Sequence, residues 1–170
     1  MSEMASIKDV CKVLQRSEII LKISESIKRN FTELGREGTI AYMRYHELLK
    51  NIEKSRNEIL RDYSPLSLKK AKTLLTNIKF DGLLELEIIA RLMFNCQLDN
   101  STSPKGYRFL AHTTTTKRED SQIIRLAGNL NNVIKLEPKD LEPILKNRSQ
   151  TICEEIKHIQ EQIINEKITC

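Results

Sequence analysis

The chain has 170 residues, room for one ordinary domain or two small ones, and its 39% hydrophobic and 30% charged residues exclude a disordered chain. With only 5 Gly, 4 Pro and no Trp, long stretches run without a helix breaker, which argues against turn-rich β architecture. The net charge of +5 and pI of about 9.0 give a mild basic bias, found in nucleic-acid-binding proteins and in many that bind none, and it is spread along the chain without a basic arm or tail.

Apolar residues Ile7, Val10, Leu14, Ile20, Ile23, Ile27, Phe31 and Leu34 recur at three- and four-residue steps and predict a helix from about Ser6 to Leu34. Gly35 is a natural left-handed C-cap, and the stretch Gly35–Gly38 is expected to reverse the chain. A second helix follows over about Thr39 to Asp62, with Tyr45, Leu48, Leu49, Ile52 and Ile59 on its inner face. Two long helices joined so tightly lie antiparallel. Ser64-Pro65 reads as an N-cap and first-turn proline for a third helix carrying Leu68, Ala71, Leu74, Leu75 and Ile78. Asp81-Gly82 breaks it and starts a fourth helix over 83–94, apolar almost all round, which is either a buried centre or a face for a partner.

The polar stretch NCQLDNSTSPKG, 95–106, marks a boundary. Short helices are expected over about Glu119 to Ala127, Leu130 to Ile134 and Pro138 to Leu145, then a long one from Ser149 to about Ile168. Thr113–Thr116 reads as a loop. The fold class is all-α: an antiparallel helical bundle over 1–95, a connecting segment over 96–110 and a compact helical module over 111–170.

Catalytic chemistry has no convergent set of groups. His46, His112 and His158 lie far apart, no Ser sits in a nucleophile elbow, and no Gly-rich loop or HExxH is present. Glu85 and Glu87, two apart on a helix, point to different faces. Cys11, Cys96, Cys153 and Cys170 have no zinc or redox spacing, and Cys11 and Cys153 fall in helical patterns as small core residues. The start MSEMASIKDV has no apolar signal core and no run approaches the ~20 residues of a membrane span. A cytoplasmic, non-enzymatic protein with free thiols, no metal and no cofactor is expected.

Two stretches carry a family resemblance. RSEIILKISESIKRNFTELGREGTIAYMRYHELLKNI, residues 16–52, and SPKGYRFL, residues 103–110, resemble the helical linker of the DisA family and the segment leading into its C-terminal helix-hairpin-helix domain. Order and spacing match over roughly residues 6–165. The family joins an N-terminal diadenylate cyclase domain to the linker and to a DNA-binding tail that favours branched DNA. The present chain begins where the linker begins, its Asp81-Gly82 is not the cyclase's Asp-Gly-Ala motif, and the Arg-His-Arg motif is absent, so the resemblance implies no cyclase activity.

A helix-hairpin-helix grips DNA through a Gly-hydrophobic-Gly hairpin, whose backbone approaches and holds a phosphate. Here the second hairpin is LKNRSQT, 145–151, without glycine, and the first, expected as Ile-Pro-Arg-Leu-Pro, is TTTTKREDS, 113–121. The module is therefore expected to be degenerate. Lys117, Arg118, Lys146 and Arg148 lie on the two remnants, and Ser149 is placed to cap the following helix. Side-chain charge replacing backbone amides implies sequence-independent binding to duplex or branched DNA. The alternative is a scaffold that has lost DNA binding and docks on a helical protein, a diadenylate cyclase or DisA itself, or self-associates as a homo-oligomer, through helix 83–94 and the long helix pair.

Overall fold

A computed structural model describes residues 5–168, which form two compact units, 5–102 and 103–168. Cys170 lies outside the described residues. The fold is all-α apart from one two-residue strand pair.

In the first unit, β1 (Ala5–Ser6) leads into α1 (Ile7–Glu33). Ser6 is the N-cap, extended at φ −82°, ψ 151°, and its hydroxyl accepts from the Asp9 amide at 3.1 Å. The stretch 95–102 is not only a polar boundary. Its β2 (Ser101–Thr102) pairs antiparallel with β1, Ala5 facing Thr102. The amides of Ile7 and Lys8 donate to the carbonyls of Asn100 (2.8 Å) and Leu98 (3.0 Å). First-turn amides have no partner inside a helix, and this segment supplies two.

The reversal after α1 is tighter than the expected four-residue stretch. Leu34 and Gly35 accomplish it, Gly35 at φ 66°, and α2 (Gly35–Tyr63) already includes Arg36, Glu37 and Gly38. A Cβ at Gly38 would stand 1.8 Å from the Phe31 carbonyl oxygen, so glycine is what lets the helices approach there. The third helix also starts later than expected. Ser67, not Ser64, caps α3 (Leu68–Thr76), while Ser64 is buried, donates to the Met93 carbonyl at 2.8 Å and accepts from the Leu66 amide. A hydroxyl that satisfies a buried carbonyl across the core is not available as a cap.

Gly82 falls within a short helix, α4 (Phe80–Leu83), and α5 (Leu86–Phe94) follows. Helix α5 is the buried centre: Ile89, Ala90, Met93 and Phe94 pack with Leu14, Leu60, Leu75 and Leu83 in one core. Burying each large apolar side chain contributes roughly 1.5–3 kcal/mol. At the end of this core α1 places Glu18 and α2 places Arg56, both buried and joined at 2.5 Å.

The second unit contains α6 (Tyr107–Leu110), α7 (Lys117–Ala127), α8 (Leu130–Ile134), α9 (Pro138–Leu145), a 3-10 turn (Lys146–Arg148) and α10 (Ser149–Ile168). Leu110, Ile123, Val133, Leu141 and Ile152 are fully buried in its core. Phe109 and Leu110, in the stretch expected to be a connector, belong to this core. Gly106 at φ 117° precedes α6 and Gly128 at φ 86° ends α7.

Candidate functional site

The site grows from two helical hairpins of the second unit. In the first, α6 passes through Thr113–Thr116 to α7. In the second, α9 passes through Lys146–Arg148 to α10. The threonine run is a loop, as read from the sequence, and its hydroxyls hold it. Thr113 Oγ1 donates to the Leu110 carbonyl at 2.6 Å, Thr115 Oγ1 donates to the buried Asp120 carboxylate, and Thr116 forms a capping box with Glu119. Helix α7 consequently starts at Lys117, two residues earlier than its apolar pattern suggests.

The second hairpin clamps the first. Arg148 donates through Nη1 to Glu119 Oε1 and through Nη2 to the Thr114 carbonyl, both at 2.9 Å. From α10, Glu155 accepts from the Thr114 amide at 2.9 Å and from its hydroxyl at 2.8 Å. Four hydrogen bonds, each with a charged partner, tie the turns side by side. Hydrogen bonds from the Thr116 amide, then from its hydroxyl and Arg148, hold the Glu119 carboxyl below its ordinary pKa against the opposing effect of burial.

The five residues singled out by sequence divide into two groups. Lys117 and Arg118 are exposed in the first turn of α7, and Lys146 is exposed at the head of the second turn. Among the described residues, none of these three side chains is in an ion pair. Lys146 has φ 53°, ψ −124°, a conformation that favours glycine. The backbone thus keeps a glycine-type bend where the sequence has no glycine.

Arg148 and Ser149 do something else. Arg148 is engaged within the module, donating to Glu119 and to the Thr114 carbonyl, so its charge is met by a carboxylate. Ser149 is buried and already helical at φ −58°, ψ −43°, and its hydroxyl donates to the Lys146 carbonyl at 2.8 Å. It is therefore not the expected N-cap, because the 3-10 turn runs into α10 without a break. Thr114 and Glu155, missed by the sequence reading, carry no local signal. Their pairing spans 41 residues.

Of the histidines, His112 and His158 line a surface hollow of about 420 Å³ with Glu155 and Gln162, and His46 stands against the Tyr42 ring at 5.7 Å. Among the described residues no three His, Cys, Asp or Glu side chains gather as metal ligands would. Burial pushes the Cys11 thiol up to about 12 and raises that of Cys153. Cys96 is exposed.

Fold and site together define an all-α protein whose second unit holds two helical hairpins clamped turn to turn, and no described helix is long and apolar enough to cross a membrane. Residues 1–98 match the family described as the DisA bacterial checkpoint controller linker region, and the chain belongs to that bacterial family. The resemblance read from residues 16–52 and 103–110 therefore holds. Similar relatives include the DNA integrity scanning protein DisA of Carboxydothermus hydrogenoformans, 32% identical over 94% of this chain and 49% of that protein. Another is that of Clostridium botulinum strain Alaska E43, 32% identical over 98% of this chain and 50% of that protein. A third is that of Clostridium beijerinckii, 30% identical over 95% and 48%. The chain spans about half the length of the curated relatives it matches.

Proposed function

We propose that the second unit is a degenerate pair of helix-hairpin-helix elements that binds the DNA backbone without sequence preference, in the cytoplasm and without catalysis. The observation that carries this is the clamp. Arg148 and Glu155 hold the two turns side by side, and Lys117, Arg118 and Lys146 stand unpaired on them. The relatives, named as DNA integrity scanning proteins and matched over this half of their length, support the same reading. Amine and guanidinium groups then meet phosphates where glycine amides would have done so.

Since Arg148 is engaged internally, the contact set is three cations. Each phosphate contact contributes a slope of about −0.9 in log affinity against log salt, so three give about −2.7, a loss of about 40-fold between about 50 and 200 mM salt. Fluorescence anisotropy with duplex and four-way-junction DNA tests this. The K117A/R118A/K146A variant is expected to abolish binding and its salt dependence. Unchanged binding in that variant would refute the assignment.

A second reading, an interaction scaffold, is favoured by a different observation. Helix α5 is not its surface, since Ile89, Ala90, Met93 and Phe94 are buried in the core. The apolar surface lies on the α1–α2 hairpin, where Ile20, Ile23, Ile27, Tyr45 and Leu48 are exposed. A diadenylate cyclase, DisA itself or a second copy are the partners this reading admits.

A further inference from the structure

We infer that the outer half of the α1–α2 hairpin is the surface on which a second copy of this chain docks, closing a four-helix arrangement. The inference takes up the second reading above and is independent of DNA binding.

The core of the first unit uses Val10, Cys11 and Leu14 of α1 and ends at the buried Glu18–Arg56 pair. Alongside it and beyond it, a second apolar line of α1 faces outward. Val13, Ile20, Ile27 and Leu34 stand seven residues apart along α1 and its C-cap, and they are 43%, 44%, 41% and 68% exposed. A large apolar residue at every seventh position forms one of the two lines of a heptad seam, and here that line is exposed. Tyr45 and Leu48 of α2, 56% and 55% exposed, flank the same seam. Between the helices runs an open groove of about 400 Å³ lined by Ile20, Ile23, Ile27, Phe31, Tyr45 and Leu48 among others.

Size and charge choose the occupant. From Val13 to Leu34 the strip is about 31 Å long. The exposed apolar area of its lining side chains is roughly 600 Å², at the top of what a monomer leaves in one patch. It also approaches the ~800 Å² that each partner contributes to a standard interface. A strip spanning two antiparallel helices is matched in width by another such pair, whereas a lone helix would cover only its groove. A two-fold axis brings each central residue against its own copy, so charge near the axis would repel. The polar residues that line the strip are Ser17, Ser24, Asn51 and Ser55; of the charged residues beside it, Arg16 lies towards one end and the Lys28 ammonium stands over the Tyr42 ring at its edge.

The test is sedimentation of the full chain, in reducing buffer, over about 1 to 200 µM, a range that brackets a micromolar dimer. The wild type is expected to pass from monomer to dimer. Ile27→Glu and Leu48→Glu, both at exposed positions, are expected to weaken dimerisation by about 30-fold or more with helical content unchanged. Leu126→Glu, an equally exposed apolar position in the other unit, should leave it unchanged. A wild type that stays monomeric at the highest concentration overturns the inference and leaves the strip to a foreign partner. So does a dimer that survives both glutamates. Should a variant misfold, the wild-type concentration series still decides. The K117A/R118A/K146A variant should dimerise normally, so the two proposals fail separately.

Discussion

Arg56→Met is expected to destabilise the first unit by about 3–5 kcal/mol, because it leaves the Glu18 carboxylate buried without its cation. Both side chains are nearly inaccessible, at 2% and 3% exposed, and they meet at 2.5 Å. Among the described residues, Arg56 is the cation paired with Glu18. The reverse change is milder. In Glu18→Met the guanidinium keeps Asn57 Oδ1, at 3.2 Å and 3.3 Å, and Glu53 at 3.6 Å, so about 1–3 kcal/mol is expected. Replacing both partners by methionine removes the two charges together and should return stability to within about 1 kcal/mol of the wild type. Urea unfolding followed by circular dichroism yields the four corners of the cycle, and the coupling should exceed about 2 kcal/mol. For a unit of this size Arg56→Met should also lower Tm by about 12 °C or more. Two small and additive single effects would refute the argument, since they would mean that the pair is solvated.

Two further outcomes follow from the clamp. Lys146 sits at φ 53°, ψ −124°, so Lys146→Gly should stabilise the second unit by about 1 kcal/mol while flattening the salt slope of DNA binding by about 0.9. Thermal melts and salt titrations read the two effects, and a loss of stability would show that the bend is not strained. Glu119, held below its ordinary value of 4.5, contributes stability that is fully present above that pH and is lost as pH falls through its lowered pKa. Glu119→Gln should therefore flatten the acid limb of the stability profile; an unchanged limb would remove Glu119 from the account.

The helices themselves were legible because three- and four-residue spacing identifies an apolar stripe. Spacing does not say what the stripe faces. Ile20, Ile23 and Ile27 continue the line of Val10 and Leu14, yet the inner residues meet a core and the outer ones meet solvent. Ser64 and Ser67 both stand before the third helix, and only the Met93 carbonyl, 29 residues away, decides which becomes the cap. The paired strands, two residues each, are too short for any alternation to announce them. At the site, Lys117, Arg118 and Lys146 could be picked out by charge and position. The engagement of Arg148 could not, because Glu119 lies 29 residues earlier and is brought there by the packing of α7 against α9.

The antiparallel register of Ala5 with Thr102 has a mechanical consequence. Both ends of the first unit leave from the same edge of the ribbon, so tension between them peels the strands apart and loads their hydrogen bonds in succession. A ribbon stretched along its length would share the load. This one opens like a zip at low force, and the next bonds in line are those that shield the Ile7 and Lys8 amides, so pulling on the unit frays α1 from its first turn while the leucine core stays closed.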